Sequence, residues 1–431
     1  MLRLAPDAIA RLGAQLERGS VVVSATNGKT TTTRMIASVL AHAGIATVHN
    51  RAGANMPGGV ATALVQQAPG GRITGSRLGL FEVDEAWLGA VVSELEPHTV
   101  VLGNLFRDQL DRYGELERLA DEWAEIVAGA PGGTAFVLNA DDPLVADLGR
   151  DRDGNPRERV TYFGVEDRSQ ALPELEHAFD AKHCRRCGAM YRYAAAYLGH
   201  LGDYACPSCG NRRPTPAVKA TRVELHGMSG AHVSIETPAG PLEVALPLPG
   251  LYNVYNALAA TACCLDNGIP LETVASGLES ASAAFGRAER IEMRGRELAI
   301  LLIKNPAGAN EVFRTLRSGG EPDIDLWITL NDGIADGRDI SWIWDADFEL
   351  LAGVAGHVTC SGTRAEELAL RLKYAGLDHA RVELVRGLEE GLDRSLARGD
   401  GRPLYALPTY TALLELRELL AARGHAPPFW E

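Results

Sequence analysis

A run of β-branched residues, Val21-Val22-Val23, leads directly into Ser24-Ala25-Thr26-Asn27-Gly28-Lys29-Thr30-Thr31-Thr32-Thr33, and a helix-forming stretch from Thr31 to Ala43 follows. A strand, a tight loop and a helix in that order are the setting in which Gly-Lys-Thr cradles a phosphate. Backbone N–H groups and the positive helix end meet the phosphate oxygens. Lys29 is placed to reach the β- and γ-phosphates, and the Thr30 hydroxyl to face Mg²⁺. The bland alternative is an ordinary strand–helix turn with an exposed lysine. The strand before and the helix after favour a nucleotide site over Thr26, Asn27, Gly28, Lys29, Thr30 and Thr31. They also place the chain in the α/β class.

The 431 residues are enough for two or three domains. The net charge of −14, from 42 basic and 56 acidic side chains, argues against a nucleic-acid partner, which requires a basic face. No apolar run approaches the roughly 20 residues of a membrane span, and the first 20 residues lack a signal-peptide core. These features lead us to expect a cytoplasmic protein, in which the seven cysteines serve as metal ligands or free thiols, not disulfides.

Downstream, Leu78-Gly79-Leu80-Phe81-Glu82-Val83-Asp84-Glu85 is an apolar run ending in acids. Ligands of open parallel sheets sit at the carboxyl ends of the strands. Glu82 is therefore a candidate for Mg²⁺ or its water, with a simple strand-end cap as the alternative. A further buried strand ends in Asn104-Leu105-Phe106-Arg107-Asp108-Gln109-Leu110-Asp111-Arg112-Tyr113-Gly114-Glu115, a polar stretch that reads as functional, with a helix-capping loop as the alternative. The alternation of strands and helices through Leu138 fits a doubly wound, mostly parallel sheet.

That alternation breaks at His183-Cys184-Arg185-Arg186-Cys187 and Cys206-Pro207-Ser208-Cys209, two C-x-x-C knuckles with 18 residues between them. Four thiolates at this spacing close a tetrahedral Zn²⁺ site, and with no spare position the metal is expected to be structural. The inserted ribbon covers about residues 178–216. A redox pair is the weaker reading, and His183 and His200 read as neighbours, not ligands. Two or three strands follow, and then an Ala-rich helix whose start carries Asn253 and Asn256 on one face, either as caps or against a nucleotide base. Phe285-Gly286-Arg287 reads as a hinge with a basic finger. From Leu298 a second alternating α/β section begins. Its strand ends carry Lys304-Asn305-Pro306-Ala307-Gly308 and the acidic loop Asn331-Asp332-Gly333-Ile334-Ala335-Asp336-Gly337-Arg338-Asp339. On residue chemistry alone, the three acids of that loop are equivalent.

Taken together these residues resemble the Mur ligase family. Ser24–Thr32 is similar to its nucleotide loop, with Ala25 where the family usually has glycine. Glu82 corresponds to its Mg²⁺ glutamate, and the Asn253/Asn256 helix to the region contacting adenine. Within the family the resemblance is to the ligase subunits of two-protein lipid II amidating enzymes. It rests on the two-knuckle ribbon, on Gln109 where ordinary members tend to have histidine, on the 304–308 and 336–339 segments, and on a phosphate loop that starts too early for a nucleotide-sugar-binding domain before it.

The resemblance implies a Mur-ligase-like central ATPase domain over residues 1–290, interrupted by a Cys₄ zinc ribbon, and a Rossmann-like C-terminal α/β domain over 291–431. It also implies a reaction of peptidoglycan synthesis. ATP with Mg²⁺ phosphorylates the α-carboxylate of D-glutamate in the lipid II stem peptide, and ammonia displaces the phosphate to give D-isoglutamine. Lys29, Thr30 and Glu82 serve the phosphoryl transfer, Asn256 and Arg287 hold the nucleotide, and Cys184, Cys187, Cys206 and Cys209 hold Zn²⁺. Ammonia comes from a GatD-type glutaminase partner in a heterodimer, and Asp339 completes that partner's Cys–His pair. The complex works at the inner face of the membrane. A self-sufficient Mur or folylpolyglutamate-type amino-acid ligase and a nucleotide-gated binding module are the competing readings.

Overall fold

The computed structural model describes residues 6–50, 54–108, 116–151, 153–176, 179–282, 286–399 and 401–426, with Arg287 described for its backbone only. The polar stretch after the fourth strand is thus described only as far as Asp108, and Gln109–Glu115 lie outside the described residues.

The first sheet contains β1 (Ser20–Ser24), β2 (Ala46–His49), β3 (Arg77–Glu82), β4 (Thr99–Leu102), β5 (Ala135–Asn139) and β6 (Val160–Val165). After the hairpin β7 (Arg192–Leu198) and β8 (Leu201–Ala205), it continues with β9 (Val218–Leu225), β10 (Ala231–Thr237) and β11 (Gly240–Leu246). The order is β11-β10-β9-β6-β5-β4-β1-β3-β2. All pairings from β2 to β9 are parallel, and β9, β10 and β11 pair antiparallel. β1 is central and buried along its whole length. Val21 and Val23 pack with Met35, Ile36 and Val39 of helix Lys29–His42, while Val22 packs on the other face with Ile9, Leu64 and Leu88. A strand buried on both faces has no polar alternation, and this is why Val21–Val23 reads as a continuous apolar run.

The ribbon β7–β8 leaves between β6 and β9 and forms its own two-stranded sheet. Its turn is anchored: His200 is fully buried, 3.4 Å from Asp142 and with its ring 4.6 Å from that of Phe106. Gly202 N–H donates to the Asp141 carbonyl at 2.9 Å.

The second sheet is built from β12 (Arg287–Met293), β13 (Arg296–Leu301), β14 (Ile324–Thr329), β15 (Ala355–Ser361), β16 (Val382–Leu384) and β17 (Leu404–Pro408). Its order is β12-β13-β17-β14-β15-β16, all parallel except for the edge strand β12. β12 is a strand where the hinge reading expects none. Its charged sequence, Arg287-Ala288-Glu289-Arg290-Ile291-Glu292-Met293, is one that an edge strand tolerates and a central one does not. The side chain of Arg287 lies outside the described residues.

Candidate active site

The β1 loop turns through Gly28 at φ +92° into the helix that begins at Lys29. A side chain at position 28 is excluded twice, by the left-handed backbone and because a Cβ there would lie 2.1 Å from Asn256 Oδ1. Gly28→Ala is therefore expected to weaken ATP binding by roughly 5- to 150-fold, equivalent to the ~1–3 kcal/mol of a strained left-handed residue, as read by calorimetry. Ala25, the departure from the usual glycine, is accommodated from the neighbouring strand end: a Cβ on Gly103 would stand 2.9 Å from the Ala25 methyl.

Two asparagines at neighbouring strand ends fix the loop and its acid. Asn104 accepts from Asn27 N at 2.9 Å and donates to the Asn27 carbonyl at 2.8 Å. Asn50 accepts from Glu82 N at 3.0 Å and donates to the Glu82 carbonyl at 2.7 Å. Each side-chain amide thus completes a backbone donor and acceptor that would otherwise be buried unpaired. Glu82 ends β3 with its Oε1 2.8 Å from the Thr30 hydroxyl, which donates to it. A hydroxyl and a carboxylate meeting beside a phosphate loop are the oxygen donors that Mg²⁺ takes alongside phosphate and water. The residues present therefore fit Mg²⁺ at Thr30 and Glu82.

Lys29 is buried and donates to the Ala25 carbonyl at 2.9 Å and to Glu85 Oε2 at 2.8 Å. Burial by itself lowers an ammonium pKa, but the Glu85 carboxylate, joined by Glu82 and Asp84, outweighs it and holds Lys29 above its ordinary value. For Glu85, burial pushes up while Lys29 and Lys304 together pull down further, leaving the acid below its usual range. The pair is charged on both sides. Glu85 is held by its own backbone, whose carbonyl accepts from Trp123 Nε1 at 3.2 Å. It occupies the Lys29 ammonium as a phosphate oxygen would. Sequence reading passed over Glu85 because it sits in an acidic run from which only the strand-terminal Glu82 was singled out.

The remaining predicted nucleotide residues fall in two groups. Thr26 is buried, and its hydroxyl is engaged with the main chain of Phe106, accepting from its N–H at 3.1 Å. Thr31 is buried in the first turn of the helix. Asn256 accepts from the Thr32 hydroxyl at 3.2 Å and donates to Asn253 Oδ1 at 3.0 Å, while Asn253 donates to the Pro249 carbonyl at 2.7 Å. Both asparagines stand at the helix start as the sequence suggests, joined to each other and to the phosphate loop.

The second sheet reaches over this site. Asn305 and Asn27 exchange side-chain amide hydrogen bonds at 3.0 and 3.2 Å. Lys304 donates to the Thr26 carbonyl at 3.2 Å and pairs with the half-buried Asp108. Between the sheets a cleft of about 80 Å³ is lined by Asn27, Gly28, Tyr252, Asn256, Lys304 and Gly308. Ligand clefts start at roughly 300 Å³, so this cleft is narrower than a bound nucleotide needs. Asn104, Lys304 and Asn305 stand in polar stretches visible in the sequence, yet nothing local indicates contacts that span 77 residues for Asn104 and 278 for the other two.

The acids of the 331–339 loop, equivalent in sequence, differ in space. Asp332 pairs with Arg364 at 2.8 Å and accepts from the Thr363 hydroxyl at 2.8 Å. Asp336 is buried, accepting from Thr411 N at 2.8 Å and Gly333 N at 3.2 Å. Asp339 is exposed and accepts from Ser341 N at 2.8 Å, which holds its carboxyl below the ordinary range.

In the ribbon, the four cysteine sulfurs lie within 4.8 Å of one another, with Cys184–Cys209 at 3.6 Å and Cys187–Cys206 at 3.4 Å. A tetrahedron of Zn–S bonds of ≈ 2.3 Å has edges of about 3.8 Å, so the cluster fits Zn²⁺. Backbone N–H groups of Cys209 and Ser208 pull the Cys206 thiol down to about 6, while the crowding of the other sulfurs pushes Cys209 up to about 12, so the four share their protons until a metal displaces them. Cys184→Ser is expected to release one zinc per chain and lower the Tm, while ADP formation per folded molecule stays at the parental rate; metal analysis and a thermal melt check it.

Fold and site together define an ATP-dependent ligase of the Mur type. A family model described as the Mur ligase middle domain matches residues 23–188, and one described as MurT ligase C-terminal matches 302–413. A Streptococcus pneumoniae (strain ATCC BAA-255 / R6) relative, "Lipid II isoglutaminyl synthase (glutamine-hydrolyzing) subunit MurT", is 34% identical over 94% of this chain and 87% of its own. Its Staphylococcus aureus (strain N315) namesake is 31% identical over 96% and 90%. The chain belongs to the Mur ligase family, on its MurT branch. Among solved structures, a pseudomurein peptide ligase type C from Methanothermus fervidus superposes with a TM-score of 0.70 at 23% identity, covering 96% of this chain and 80% of its own, and shares the fold.

Proposed function

We propose that this chain is the nucleotide-using half of a two-subunit enzyme. It phosphorylates the α-carboxylate of D-glutamate in the lipid II stem peptide, and ammonia released from glutamine by a GatD-type partner converts the acyl phosphate to D-isoglutamine. A carboxylate is a poor electrophile, and phosphorylation gives it a leaving group. Lys29 leaves Glu85 for the transferring phosphoryl group and offsets its charge. Thr30 and Glu82 would hold Mg²⁺, which supplies further positive charge there. Asn104 and Asn50 keep the loop and Glu82 in register.

The observation that carries the partner is the fate of the cysteines. Four of the seven are clustered in the ribbon. The other three are buried: burial pushes the Cys264 and Cys360 thiols up to about 12, and Cys263 well above its ordinary value. None is an exposed, acidified nucleophile of the kind glutamine hydrolysis uses. The exposed Asp339, held ionised by Ser341, is the loop acid available to orient a partner's histidine, since Asp332 and Asp336 are engaged internally. The test is amidation of lipid II with glutamine by the chain alone, the partner alone and both together. Only the mixture should produce D-isoglutamine, and only with ATP. Turnover by the chain alone with glutamine would refute the division of labour.

Lipid II is membrane-bound, so the reaction places the complex at the membrane surface. No helix among the described residues is long and apolar enough to cross a membrane.

A further inference from the structure

The zinc ribbon is basic in an acidic protein. Residues 178–216 carry six cationic side chains, Lys182, Arg185, Arg186, Arg192, Arg212 and Arg213, against two acids, Asp180 and Asp203, while the whole chain has a net charge of −14. A zinc held by four thiolates adds two negative charges and leaves the segment positive.

The cations divide by position. Arg185, Arg186 and Arg213 pair with Asp121, Asp147 and Asp141 and fasten the ribbon to the helix Leu116–Gly129 and to the segment that follows β5. Lys182, Arg192 and Arg212 are exposed, and among the described residues none has an acidic partner. Arg192 lies opposite Ala205 in the hairpin, and Ala205 lies opposite Arg212 in an antiparallel bridge. Directly opposed residues share a face, so two arginines flank one exposed alanine. Beside them His183 bridges Met190, which is 64% exposed. This face is at the zinc end. The other end of the seven-residue strand β7, about 20 Å away, is the turn buried under the β4 and β5 loops.

We infer that the zinc end of the ribbon is the surface by which the protein docks on an anionic phospholipid bilayer. This rests on the proposal that the substrate is lipid II. The argument is charge complementarity: a protein at net charge −14 is repelled by an anionic leaflet unless it presents a local cationic face, and Lys182, Arg192 and Arg212 with the apolar Met190 form one. The ribbon's anchored turn then connects the bilayer contact to the strand-end loops that form the nucleotide site.

The test uses the full-length chain in co-sedimentation with phosphatidylcholine vesicles, with and without about 30 mol% phosphatidylglycerol, and the triple variant Lys182→Gln/Arg192→Gln/Arg212→Gln. Each cation near such a surface contributes roughly fivefold, so the variant should bind anionic vesicles at least tenfold more weakly. Binding of the parent should require phosphatidylglycerol and fall with salt. Zinc content and ADP formation should be unchanged in the variant, because none of the three residues touches the nucleotide site. Met190→Glu, which leaves the cations in place, should weaken binding in the same direction. Equal vesicle binding by parent and triple variant, or no binding by the parent, overturns the inference. So does loss of glutaminase-partner binding with vesicle binding intact, which would make the face a protein interface. Lipid II amidation is scored separately, so failure of the proposed reaction is distinguishable from failure of the docking surface.

Discussion

Lys29→Ala is expected to reduce ATP-dependent ligation by at least about 10²–10³-fold, the effect of deleting one preorganised charge from a transition-state site. It should also destabilise the protein, because Glu85 is left buried and unpaired. Breaking a buried ion pair from one side costs roughly 3–5 kcal/mol. The two effects separate in the double variant Lys29→Ala/Glu85→Ala, which removes both charges. Its melting temperature should return most of the way to the parental value while ADP formation stays lost. If the double variant regained activity, Lys29 would be a structural lysine and the phosphate-loop assignment would fail. If Lys29→Ala alone melted like the parent, the Lys29–Glu85 pair would not be a buried charge pair in solution.

Asp339→Asn is the second large effect. A triad aspartate turned to asparagine costs about 10⁴-fold, because the histidine is left in the wrong tautomer. Glutamine-dependent amidation by the two-subunit complex should fall by that order, while ammonium-dependent amidation and ATP binding persist. Asp339 accepts a hydrogen bond from Ser341 N and is exposed, so the substitution should leave the melting temperature within about 0.5 kcal/mol equivalent of the parent. The matched control is Asp332→Asn, which loosens the Arg364 contact and should leave glutamine use intact. Loss of ammonium-dependent activity in Asp339→Asn would show that the residue serves the ligase reaction or the fold instead.

The sequence carried the fold wherever the physical signal was local. Val21–Val23 followed by Gly28-Lys29-Thr30 is legible because strand burial, a left-handed glycine and a helix start are encoded within a dozen residues. The cysteine knuckles are legible because metal geometry restricts spacing. β12 was missed because an edge strand needs no apolar alternation, and charged residues there read as a hinge. The interlock of Asn27 with Asn305 and of Asp108 with Lys304 was illegible, because topology alone brings these positions together. Glu85 lies between these cases. Its identity was in plain view, and its role emerges only from the 2.8 Å approach of Lys29.

The most direct test follows the nitrogen. Lipid II, ATP, Mg²⁺ and glutamine labelled with ¹⁵N in its side-chain amide are incubated with the chain, the glutaminase partner or both, and the stem peptide is read by mass spectrometry. The account predicts ¹⁵N in D-isoglutamine only when both proteins and ATP are present. Label entering lipid II from this chain without the partner, or a free amino acid joined to the peptide by the chain alone, would contradict it.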